Sequence, residues 1–164
     1  MSYRLGSLLR SWKEMIRLDL EVDPLLLEMA WKLAREAIEA LKGQPDQRFI
    51  PADEDDPDLT EAWLDSLRDE LGRDFEYLSD LFTTSRFGEE PVEISAESAE
   101  GILRASSAVR LWVRNHRLEG VLDEDLETGG VDLDGLEPDV RLAYFTYGLL
   151  AYLQESLIGL LDGA

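Results

Sequence analysis

The stretch Pro138–Leu161, PDVRLAYFTYGLLAYLQESLIGLL, decides what kind of protein this chain can be. From Leu142 to Leu153 it carries no charge, and its apolar residues lie all round the helical wheel. A helix apolar on every side is either buried in a protein core or set in a membrane. At ~1.5 Å per residue the segment reaches about 36 Å, enough for either. Gln154-Glu155-Ser156 settles the choice, because it ends the uncharged run well short of the ~20 apolar residues a span requires. The stretch therefore reads as the central, largely buried helix of an all-α domain, with the other helices wrapped around it.

The signals upstream agree with a helical domain. Ser95 is placed to cap a helix running to about Leu118, with Ile94 and Ala99 flanking the cap as a hydrophobic staple. Ile102, Ser106, Val109 and Val113 form its inner face. Just before it, Val92-Glu93-Ile94 alternates like a very short extended piece. Leu59, Trp63, Leu67, Leu71, Phe75, Leu78 and Phe82 recur every three or four residues and predict a helix that starts at Asp56-Pro57, or slightly later through the capping-box-like Asp58-Leu59-Thr60-Glu61, and ends near Thr84. Asp23-Pro24 is an N-cap followed by proline at the first helical position, and Gly43 stops the helix that it starts. Leu5, Leu8/Leu9, Trp12 and Met15/Ile16 extend the same spacing over Tyr3–Leu20. That predicts an N-terminal helical hairpin over about 3–42, packed on a helical part over about 57–162. The expected fold is thus a single domain, 1–164, with about five helices in one bundle-like body. The first four helices carry one tryptophan each, Trp12, Trp31, Trp63 and Trp112, which reads as core filling. Two acidic connections, 44–57 with Asp53–Asp56 and 119–137, join the helices.

Charge narrows the function. The chain carries a formal net charge of -20. Residues 1–42 hold 7 basic and 7 acidic side chains, so all of the excess lies beyond Lys42. Nucleic-acid phosphates and anionic membranes both need a cationic patch that releases counterions, so neither is an expected partner. The chain has no cysteine, which removes disulfides, thiol nucleophiles and zinc-thiolate sites. The N-terminal stretch is amphipathic, with charges every few residues and no uninterrupted apolar run like that of a secretory signal; the expected location is cytoplasmic.

Catalytic chemistry finds little to work with. The one histidine, His116, lies among Arg110, Arg114 and Arg117 and reads as a surface residue rather than a base beside a nucleophile. No phosphate-cradling glycine loop or nucleophile elbow is present. Asp132-x-Asp134-Gly135 is spaced like the middle of a calcium loop, but the positions that should supply the first and last ligands are Gly130 and Arg141. Glu36/Glu39 and Glu97/Glu100 have the spacing that some all-helical magnesium-dependent pyrophosphatases use, a spacing that an acid-rich chain produces freely on solvated faces. No catalytic, cofactor or metal residue is assigned, and no cofactor is expected. Arg110, Arg114 and Arg117 share one helix face with Arg104 above them, which points to internal salt bridges, and Arg110 is expected to meet Glu155 of the last helix. The candidate structural or partner-contact residues are Arg110, Arg114, Gln154, Glu155 and Ser156.

The second half of the chain resembles an uncharacterised, mainly actinobacterial domain-of-unknown-function family. The residues that carry the likeness are Val92-Glu93-Ile94, Arg110-Leu111-x-Val113 and the run Tyr147-x-x-Leu150-x-Tyr152-Leu153-Gln154-Glu155-Ser156-Leu157. They span roughly residues 90–160. Ser107-Ala108 stands where that family tends to have Asn-Asp, and Gly148, Leu149 and Tyr152 replace its usual residues, so the chain resembles a distant member. Members are often encoded beside the adaptor that delivers N-end-rule substrates to the Clp protease. The resemblance implies a regulatory link to Clp-type proteolysis and no catalytic residue. The expected function is a non-catalytic interaction protein, with a helix face left open for a protein partner or a second copy as a homodimer. The alternative is a small carboxylate- and magnesium-dependent hydrolase.

Overall fold

Helix starts follow the hydrogen bonds that the sequence signals. Asp23 Oδ1 accepts from the backbone N–H of Leu25 at 2.9 Å and of Leu26 at 3.3 Å, opening α1 (Pro24–Gly43). Ser95 Oγ accepts from Ser98 N at 3.1 Å and opens α3 (Ala96–Arg117). The computed structural model describes residues 15–43, 57–84 and 87–162. Its remaining elements are β1 (Met15–Leu18), α2 (Pro57–Thr83), β2 (Val92–Ser95), α4 (Asp123–Thr128) and α5 (Pro138–Asp162). The domain is predominantly α-helical, with one small sheet among the described residues. Among the described residues no helix is long and apolar enough to cross a membrane.

The N-terminal hairpin needs correction. Met15–Leu18, expected at the end of a first helix, is a β-strand. It pairs antiparallel with β2, Met15 opposite Ser95 and Leu18 opposite Val92. The spacing of Met15/Ile16 behind Trp12 suits a helix, but Ile16, Leu18 and Leu20 also alternate, and all three are buried. The distant partner Val92–Ser95 decides in favour of the period of two, since strand formation depends on which segment lies alongside. Trp12 and the rest of Tyr3–Glu14, the acids Asp53–Asp56, and the side chain of Trp63 lie outside the described residues.

The core lies between α1, α2, α3 and α5, with the sheet closing one side. Phe75, Leu78, Leu81 and Phe82 bring α2 into it, and Trp31 stacks on Phe82 with ring centres 5.1 Å apart. α5 enters the core along one face, through Ala143, Thr146, Leu149, Leu150, Leu153 and Leu157. Its other side reaches solvent, where Tyr152 is 58% and Ile158 49% exposed. α3 shares the central position, packing on α1, α2, α5 and both strands.

The crossing of α2 and α3 explains one glycine. A Cβ at Gly101 of α3 would lie 2.4 Å from Cδ2 of Tyr77 and 3.2 Å from Oδ1 of Asp74. Only a bare Cα lets α2 and α3 meet with the Tyr77 ring between them. Further along, the acidic connection is held to the start of α5 by Arg141, whose guanidinium donates to Leu133 O at 3.1 Å and to Leu136 O at 3.2 Å. The connection is tacked down by its backbone, while the Leu133 side chain stays exposed.

Candidate functional site

The arginine face of α3 is where the sequence concentrates positive charge, and the structure disperses it. Arg104 reaches α2, where Nε and Nη2 donate to the two oxygens of Asp74 at 2.8 and 2.9 Å. Arg114 turns to α4 and binds Asp123 Oδ1 at 2.7 Å through Nε, with Nη1 on Leu118 O at 2.5 Å. Arg117 pairs with Glu36 of α1 and lies 5.0 Å from the Trp112 ring centre. Each of these arginines is therefore tied to a different element. His116 is exposed, stacked on Trp112 with its Nδ1 2.9 Å from Trp112 O.

Arg110 does not meet Glu155. Its Nη1 donates to Oε1 of Gln154 at 2.7 Å, and its guanidinium carbon lies 4.4 Å from the centre of the Tyr147 ring. Gln154 is 8% exposed and spends its amide N–H groups on Leu103 O at 2.9 Å and Ser107 Oγ at 2.7 Å. One residue along a helix is a rotation of about 100°, so Glu155 points away from α3 and is exposed. The interruption in the apolar run thus divides in two: Gln154 locks α5 to α3, and Glu155 belongs to the surface. Ser106 Oγ and Arg110 Nε are buried with no hydrogen-bond partner.

Two concavities accompany these contacts. The first, about 370 Å³, lies over the α2–α3 seam and is lined by Glu70, Arg73, Asp74, Tyr77, Glu97 and Arg104. Asp74 is the most buried carboxylate here, 5% exposed, and the sequence reading did not single it out. Its signal was its place next to Phe75 on the inward side of α2, one turn before Leu78. Hydrogen bonding to Asp74 holds the Arg104 guanidinium above its ordinary value against the opposing effect of burial. Burial and the neighbouring Glu97 carboxylate push the Tyr77 phenol above its usual value. The bidentate Arg104–Asp74 pair is a clamp across the seam.

The second concavity is a groove of about 330 Å³ between β1 and the end of α5, lined by residues that include Arg17, Leu18, Glu155, Ser156, Gly159 and Leu160. Here Glu155 and Ser156 do come together, while Arg110, Arg114 and Gln154 lie elsewhere. Tyr152, Glu155, Ile158 and Gly159 continue along the solvent side of α5 from this groove.

The carboxylate pairs with magnesium-site spacing fall on exposed faces. Glu36 faces Arg117, and Glu39 lies 4.0 Å from Lys42. Asp132 caps the short helical turn Leu133–Gly135 by accepting from Asp134 N at 3.2 Å. Among the described residues no three potential metal ligands cluster. Comparison with family models, with curated proteins and with solved structures returned no match to this chain.

Proposed function

We propose that this domain is a non-catalytic interaction protein that uses the solvent side of α5 and the adjoining groove as its contact surface. The observation that carries this reading is that Tyr152, Ile158 and Leu160 of α5 are left in water as large apolar side chains, and that Leu160 lines a concavity with a polar rim. Apolar side chains gathered at the edge of a groove mark surfaces that a partner covers. A regulatory role linked to Clp-type proteolysis, the implication of the resemblance drawn above, is the biological setting proposed for it. The test is co-purification from native cytosol in the presence of chelator, with wild type and with Tyr152→Asp/Ile158→Asp. The wild type is expected to retain a protein that the double variant releases while melting at the same temperature. A hydrolytic activity abolished by chelator, or stability that rises with millimolar magnesium, would overturn the reading.

A further inference from the structure

We infer that the solvent side of α5 pairs with a second copy of the chain, the two helices lying antiparallel about a two-fold axis at the level of Leu153 and Gln154. The inference rests on the interaction reading above and names the occupant of the same surface.

Gly148, Tyr152, Glu155 and Gly159 are all exposed, and they follow one another at alternating four- and three-residue steps along α5. At a turn of about 100° per residue they stay within a narrow arc, the kind of seam along which two helices pack lengthwise. The order glycine, tyrosine, glutamate, glycine has the property that a two-fold interface requires. Such an interface uses one patch twice, so that one residue meets a second and the second meets the first. Turned end for end, the stripe sets Gly148 against the partner's Gly159 and Tyr152 against the partner's Glu155. The phenol then donates to the carboxylate on both sides of the axis. At Gly148 and Gly159 open space stands where a Cβ would be, so no side chain keeps the two backbones apart at either end.

The halves of the stripe also fit in shape. Tyr152 projects into solvent from the first half. Glu155 and Gly159 of the second half line the groove of about 330 Å³, with Ser156 and Leu160 beside them. A projection and a recess on one face of one helix complement each other across a two-fold, which seats each tyrosine at the partner's groove. Charge agrees with this pairing. From Leu142 to Leu161 the one charged residue is Glu155, in a chain of net charge -20. So acidic a chain repels its own copy, and a self-contact is least opposed along a stretch that brings one carboxylate and a hydroxyl to receive it.

The chain has no cysteine, so introduced thiols report the pairing without background. In this register position 148 lies opposite the partner's position 159. The two copies of position 148 are separated by the helix between 148 and 159, about 16 Å, whereas a disulfide spans at most ~7 Å between Cα atoms. Oxidation of Gly148→Cys mixed with Gly159→Cys is expected to link one of each, and neither variant alone is expected to link. Sedimentation equilibrium of the wild type is expected to show a monomer–dimer equilibrium with a dissociation constant of about 1–100 μM, as suits a small interface. It is expected to tighten as salt screens the acidic bodies. Gly148→Trp, whose side chain enters open space in the monomer, and Tyr152→Ala are expected to weaken the dimer about tenfold or more, with the melting temperature of the dilute protein unchanged. Linking of Gly148→Cys with itself, which marks a parallel pair, would overturn the inference. So would a dimer that Gly148→Trp leaves intact, or a wild type still monomeric at about 1 mM. If it is overturned while Tyr152→Asp/Ile158→Asp still releases a different native protein, self-pairing falls and the interaction reading stands; if that variant releases nothing either, both fall.

Discussion

Along α2, helix α3 carries its polar contact in charged form at the solvent edge; along α5 it carries it inside, as an uncharged amide. The Asp74 side chain is 7% exposed but its partner Arg104 is 61% exposed, so the pair straddles the boundary between core and water. Gln154 instead reaches three groups of α3, one backbone carbonyl, one hydroxyl and one guanidinium. The difference lies in what each seam leaves behind when a member is removed. A carboxylate without its cation is an uncompensated buried charge, whereas removing the amide costs a carbonyl, a hydroxyl and the Arg110 guanidinium one bond each, and that guanidinium keeps its contact with the Tyr147 ring.

The largest expected effect therefore belongs to the seam that looks more exposed. Arg104→Ala is expected to cost about 2–3 kcal/mol, below the ~3–5 of a fully buried pair because Arg104 is well hydrated. Replacing both members, Arg104→Met with Asp74→Leu, is expected to recover most of that loss, since no charge is then stranded. Urea denaturation of the single and double variants measures both values. If the double variant is as unstable as the single, the cost comes from packing and the charge argument fails.

The other seam offers a sharper contrast between adjacent residues. Gln154→Ala is expected to cost about 2 kcal/mol, the sum of several modest bonds. Glu155→Ala is expected to stay within about 0.5 kcal/mol of wild type, as exposed substitutions do. Equal losses in the two would mean that α5 is rotated from the orientation described here. Pairing Arg110 with Glu155 is what charge alone suggests, and it is off by one residue because the sequence shows that the apolar run is interrupted without showing which polar residue turns inward.

What could be read in advance was whatever local chemistry controls. Asp23-Pro24 and Ser95 mark helix starts through bonds made within a few residues, and each helix begins there. Val92–Ile94 was legible as extended because alternation and the cap that follows are both local. β1 was not: Met15–Leu18 is a strand because of a partner far along the chain, and the apolar spacing behind it fits a helix equally well. The Asp74–Arg104 clamp was hidden for the same reason, since it needs the α2–α3 crossing that Gly101 permits. Of the residues singled out beforehand, Arg110 and Gln154 proved to be one contact and Glu155 and Ser156 one surface, a division that follows from the turn of the helix.

The smallest expected effect tests whether the inner face of α3 is complete. Ser106 is fully buried, yet its hydroxyl has no hydrogen-bond partner, not even the carbonyl one turn back. An unpaired buried hydroxyl forfeits its hydration for nothing, and serine is also a weaker helix former than alanine. Removing the oxygen leaves a cavity too small to offset both terms, so Ser106→Ala is expected to stabilise the domain by roughly 0.5–1 kcal/mol. Thermal melting is sensitive enough, because about 1 kcal/mol moves the midpoint by ~2–4 °C at this size. A lower midpoint would show that the hydroxyl is bonded in solution, to a buried water, and that the α3 core face depends on that water as its α5 seam depends on Gln154.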